Sequence, residues 1–270
     1  MPFRFAAYYI MAMIGITIVA FWPGYFSTLR SAPWGFHFHG ITATLWMLLL
    51  AFQSWSIHGG QRRWHRSVGI GSLALFPFFI AGNVAVVLSM AKATPTDAFY
   101  QLYGARLGIM DATSPLILGW LFYHALAERR RVQLHARYML ATPLLLVMPI
   151  VSRLADAIFP ALVMHGPEDF HRFVWSMRLA SGVAVACAAW LYMTAPRFGR
   201  PFLVAGSVML AQAVLFETLA LTPAWQSAFA GMGRLPLSPI LMLAVLGAAV
   251  VSWLGWRAGA TPTRRSPLGH

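Results

Sequence analysis

Long apolar runs, separated by short segments rich in proline, glycine or charge, make up most of this chain. The runs fall near residues 6–22, 37–56, 67–90, 107–126, 136–157, 173–194, 202–222 and 236–256. Each approaches the ~20 residues that a helix rising ~1.5 Å per residue needs to cross ~30 Å of hydrocarbon. Between them stand Pro23-Gly24, Gly59-Gly60, Pro95, Glu128 to Arg131, Pro160, Pro196, Pro223 and Pro236, which stop or turn a helix. Hydrocarbon holds no water to satisfy loose amides, so such runs close their hydrogen bonds as helices. The pattern predicts an all-α, polytopic transmembrane helix bundle of about eight spans, a single integral membrane domain over residues 1–270. The first run follows Arg4 as in a signal peptide, but its length and the lack of an A-x-A-like cleavage site predict a retained first helix.

Composition narrows the class further. The chain is 59% hydrophobic and 10% charged, against ~45–50% and ~25% in soluble globular domains. Disorder and a secreted disulfide scaffold are excluded, since Cys187 is the single cysteine and lies inside an apolar run. A net charge of +13 would suggest nucleic acid on a soluble protein, but the placement of the charges says otherwise. Arg4, the loops with Arg62, Arg63, Arg66, Arg129, Arg130, Arg131, Arg137, Arg197 and Arg200, and the tail with Arg257, Arg264 and Arg265 put thirteen on one side. Arg30, Lys92, Arg106, Arg172 and Arg234 put five on the other. Cytoplasmic loops carry the Lys/Arg excess, so both termini are expected in the cytoplasm of a bacterial-type inner membrane. The expected partner is the lipid bilayer and not nucleic acid; a protein partner or homo-oligomer is left open. Trp22, Trp34, Trp64, Trp175, Trp225 and Trp256 sit near span ends as interfacial anchors do. Small residues four apart, Ala180, Ala184 and Ala188 and again Ala244, Ala248 and Ser252, predict close helix packing.

Five ionisable residues fall inside the runs: Asp111, Arg153, Asp156, Arg178 and Glu217. A charge at that depth costs at least ~2–3 kcal/mol and so faces protein or water. With the N-terminus inside, all five share the outer half of the bundle. Arg153 and Asp156 are three apart on one helix face, and Arg178 is expected to pair with Asp111 or Glu217. Two accounts stay open: a neutralised network that fixes packing, and an outward-open cavity that binds an ion or small anionic solute.

Histidines gather at run ends. His37 and His39 open the second run on the outer side; His58, His65, His124 and His135 lie on the inner side; His165 and His171 occupy an outer loop; His270 is terminal. His39 and His58 are ~28 Å apart along a helix and cannot share a metal. His58 to His65 and His124 to His135 each bracket arginines between two spans. Imidazoles meeting there could hold a transition metal, with His58 and His124 as further ligands, or ligate haem iron axially in a pair. No Gly-rich phosphate loop, H-E-x-x-H signature or CxxC occurs.

The run His39-Gly40, Trp46, Gln53, Gly59-Gly60 and Arg63-Trp64-His65-Arg66-Ser67-Val68-Gly69, with His135-Ala136-Arg137-Tyr138-Met139 and Arg153, carries a resemblance. It resembles a family of uncharacterised bacterial multi-pass inner-membrane proteins and, more distantly, the four-helix core of two-haem b-type transmembrane cytochromes. That core binds haem through a histidine near the start of each of four helices, first with third and second with fourth. The resemblance implies haem-binding roles for His39, His65 and His135 as the first, second and fourth. The third is missing, because residues 91–110 hold no histidine. The resemblance covers residues 36–155 and implies an inner haem b on His65 and His135. Three functions stand at this stage: a haem-binding redox protein, a transporter or solute-binding protein using the five outer charges, and a non-catalytic membrane scaffold. Neither a substrate nor an enzymatic activity is legible.

Overall fold

The computed structural model describes residues 3–260. Arg264, Arg265 and His270 lie outside the described residues, and with them part of the basic tail. Among the described residues the chain is all-helical and has no strand. Its α-helices are α1 (Ala6–Phe21), α2 (Trp34–His58), α3 (Arg62–Ala93), α4 (Ala98–Ala127), α5 (Val132–Ala141), α6 (Val147–Ile158), α7 (Arg172–Thr194), α8 (Arg200–Glu217), α9 (Pro223–Met232) and α10 (Leu237–Ala258). A 3₁₀ stretch, Thr142–Leu146, joins α5 to α6, so that Val132–Ile158 makes one traverse. It falls where Pro143 lacks the N–H that would continue the α-helix.

Six of these traverses are long and apolar enough to cross a membrane: α2, α3, α5 with α6, α7, α8 through Leu221, and α10. That is compatible with an integral membrane protein. Helix α1 is shorter, at 16 residues. Helix α4 has the length but carries Gln101, Arg106 and Asp111. It also begins nine residues before its expected start at 107, because Asp97 caps it by accepting from the Tyr100 amide at 3.0 Å. The short α9 falls in a segment expected to be a break. Thr222 caps it with Pro223 at its first position, and the Trp225 indole N–H donates to Ala105 O at 2.7 Å.

Successive traverses run antiparallel, so the connections collect at two ends. At one end Arg129 donates to Trp256 O, Arg130 to Ala260 O, and Arg137 lies over the rings of Phe3 and Phe198. This brings together the start of the described chain, the α4–α5 and α7–α8 connections and the end of α10. At the other end Tyr103 donates to Phe170 O at 2.8 Å, and Arg106 meets Glu217. Gly60, at φ 75°, makes the left-handed turn between α2 and α3 that a side chain would resist.

Two cores share helix α4. In one, Trp46, Phe76, Phe79 and Phe122 interlock, with Phe76 and Phe122 stacked at 4.2 Å between centroids. The Trp46 indole N–H donates to the Thr142 hydroxyl at 3.0 Å, tying α2 to the 3₁₀ break. The other core is built on α4, α5, α7 and α8, where Ala180, Ala184 and Ala188 are fully buried. An added Cβ at Gly206 would stand 3.0 Å from that of Ala188, so small residues set this close approach. Ala248 and Ser252 are likewise buried on α10. Of the expected anchor tryptophans, Trp22, Trp34, Trp64, Trp175 and Trp256 are exposed; Trp225 instead packs inward.

Candidate functional site

At the end that holds the α2–α3 and α4–α5 connections, His65 and His135 are built alike. Each opens its helix and aims Nδ1 back at a carbonyl near the end of the preceding one: His65 at Gln53 O, 3.2 Å, and His135 at Ala125 O, 2.8 Å. A carbonyl only accepts, so Nδ1 must carry the proton. In a neutral imidazole Nε2 then keeps its lone pair, and neither Nε2 has a partner among the described residues. The two rings lie within each other's electrostatic reach. Three polar atoms without partners are sealed inside the last turns of α2 at this end: Gln53 Nε2, Ser54 Oγ and His58 Nε2. Buried polar atoms are usually paired, which sets these three apart from most buried polar groups of the chain.

The other inner histidines go elsewhere. His58 aims Nδ1 at Ser54 O of its own helix, 2.7 Å away. His124 packs on Trp120 and Tyr138 at 4.3 and 5.3 Å between centroids. Among the described residues no group of three or more His, Cys, Asp or Glu is placed to hold a metal ion. The four histidines are therefore not gathered into one metal site, because the ring of His124 is taken up by aromatic packing and His58 is held to its own backbone.

The opposite half holds the five expected charges, in two separate groups, with Asp111 near the middle of α4 because that helix begins earlier than expected. Glu217, at the end of α8, takes Arg106 Nη2 on one oxygen at 2.6 Å and Arg178 Nε on the other at 2.8 Å. The Arg178–Glu217 pair is one of the two expected; Arg106, expected in an outer loop, is the partner that was missed. Its guanidinium also lies 4.0 Å over the Phe216 ring and donates to Phe216 O at 3.0 Å. Asp111, Arg153 and Asp156 make no ion pair among the described residues. Arg153 donates to Pro149 O and lies 4.1 Å over the Phe21 ring, with Asp111 and Tyr100 in its electrostatic field. Asp156 accepts only from the adjacent Ala157 amide, so sharing a face with Arg153 does not pair them.

His39 stacks on Phe79 with its Nδ1 buried and unpartnered, and α4 brings no histidine to it. Its neighbour His37 meets the Tyr25 hydroxyl at 2.8 Å. Burial raises the pKa of that phenol, which keeps its proton for the bond. Gln212 was also missed: buried on α8, it donates to Met110 O, Thr113 and Ser114 on α4 at 2.9–3.2 Å. A glutamine inside an apolar run was the available signal. Compared with protein-family models, with curated proteins and with solved structures, the chain matches none.

Proposed function

We propose that this chain is an eight-span integral protein of a bacterial-type inner membrane, with both termini in the cytoplasm, and that His65 and His135 hold haem b at its cytoplasmic end for electron transfer. The observation that carries the proposal is the twin arrangement of these two imidazoles, each fixed through Nδ1 with Nε2 unpartnered. Axial histidines are held in this way, the carbonyl setting tautomer and ring orientation and raising the basicity of Nε2. Haem iron bound through two imidazoles supplies one-electron exchange. The protein supplies the setting for it. Phe122 of the buried Trp46, Phe76 and Phe122 cluster stands one turn from Ala125, the acceptor of His135, and Arg62, Arg63 and Arg66 beside His65 would offset anionic side groups. The unpartnered Gln53 Nε2 is a donor available at the same end. A second haem at His39 is not proposed, for want of a partner on α4. Protein purified in detergent from haem-replete cells should show a Soret band that shifts on reduction. His65→Ala and His135→Ala should each lose the low-spin spectrum while remaining folded. A colourless preparation from such cells overturns the proposal.

A second reading has one observation in its favour, the unpaired Asp111 and Arg153 in the opposite half. A carboxylate and a guanidinium that make no ion pair among the described residues suit a small anionic solute and its counter-proton. Arg153→Ala should then abolish solute binding and leave the spectrum unchanged.

A further inference from the structure

Between α7 and α8, on the outside of the bundle, runs a groove of about 520 Å³. Its walls are apolar, with Val185 on α7 and Leu210 and Val214 on α8; its floor is small, with Gly182 and Ala213. A Cβ built on Gly182 meets no atom within 4 Å, so the space is open there. One end is closed by Arg178 and Glu217. From Arg178 to Val185 the groove follows ~10 Å of helix. Leu210 and Val214 are more than half exposed, so this flank has no protein cover among the described residues.

The charged end is not neutral. Glu217 faces two guanidinium groups, Arg106 and Arg178, which leaves one positive charge. Arg106 is enclosed, with 11% of its side chain exposed, whereas Arg178 is 49% exposed. Arg178 spends only Nε on Glu217 and leaves both Nη groups without a partner among the described residues. Its central carbon lies 4.6 Å from the ring centroid of Trp175, an exposed tryptophan of the kind found at headgroup depth. A guanidinium placed over an indole, with two Nη groups available, can meet two phosphate oxygens.

We infer that this groove binds a bilayer phospholipid of net negative charge, an acyl chain lying between α7 and α8 and the headgroup phosphate on Arg178. A zwitterionic lipid offers the same phosphate but no charge to offset the excess of the triad. The inference rests on the membrane reading above and is independent of haem.

The test is native mass spectrometry of detergent-purified protein given equimolar phosphatidylglycerol and phosphatidylcholine. The wild type should retain phosphatidylglycerol several-fold over phosphatidylcholine. Gly182→Trp, which fills the open floor, should cut that retention several-fold, and Arg178→Gln should bring the two lipids close to parity. Ala213→Leu is the second filling variant should Gly182→Trp fail to fold. Equal retention of the two lipids by the wild type overturns the site, as does undiminished phosphatidylglycerol on the filled variants. Recovery of the chain in the soluble fraction without detergent would instead overturn the membrane reading itself.

Discussion

Removing the charge of Glu217 separates its two partners by their burial. In Glu217→Gln the shape persists but Arg106, with 11% of its side chain exposed, is left as an uncompensated buried charge. Breaking a buried pair in this way costs about 3–5 kcal/mol. Arg106 keeps its bond to Phe216 O and its place over the Phe216 ring, which together offset ~1–2 kcal/mol. The expected net loss is therefore about 2–3 kcal/mol. Arg178 is 49% exposed, and a pair of that exposure contributes ~1 kcal/mol or less. Arg106→Gln should thus be clearly more destabilising than Arg178→Gln. A double-mutant cycle should give Arg106–Glu217 a coupling energy at least twice that of Arg178–Glu217. Cys187, the sole cysteine and partly buried on α7, makes thermal unfolding readable with a thiol-reactive dye. A midpoint change of roughly 2–4 °C per kcal/mol is expected for a chain of this size. Equal midpoint losses from Arg106→Gln and Arg178→Gln would refute the reasoning, since burial would then not decide the worth of a shared carboxylate.

Gly108→Ala drives a methyl group into the ring of Phe229, which is 1% exposed and has nowhere to go; overpacking of this kind should cost ~1–3 kcal/mol. Gly182→Ala meets nothing within 4 Å and should be neutral or slightly stabilising, so a loss there comparable to Gly108→Ala would contradict the packing described. Trp46→Phe keeps a ring in the aromatic cluster but gives up the bond to Thr142. The Thr142 hydroxyl still donates to Met139 O, so the loss should stay near ~1 kcal/mol, read by the same dye assay. In a Cys187→Ser background, single cysteines at Arg63 and Arg130 should react with a membrane-impermeant thiol reagent only after lysis, and one at His165 in intact cells. The reverse pattern would invert the orientation inferred from arginine placement.

What the sequence pattern resolves is the position of apolar traverses, and what it misses is held by polar contacts between helices. The runs near 37–56, 173–194 and 236–256 return as α2, α7 and α10 within three residues at either end, because lipid-length hydrophobicity is a property of the segment alone. Helix α4 shows the opposite case. Read along the chain, Gln101 and Arg106 end the apolar run and push its start to 107. In three dimensions Arg106 is neutralised by Glu217, 111 residues away, so the helix continues through it to the Asp97 cap. Thr222-Pro223 was a legible helix start hidden by the same expectation, that a segment with proline between apolar runs is only a break. The site divides on the same line. Depth limits the partner of Arg178 to Asp111 or Glu217 and the structure selects Glu217; that His65 and His135 share an end follows from counting helix starts. The Nδ1 contacts that distinguish these two histidines from His124 depend on where the ends of α2 and α4 stop. No periodicity records that. The shared setting of His65 and His135 is therefore made by the two backbone carbonyls of Gln53 and Ala125 as much as by the histidines themselves.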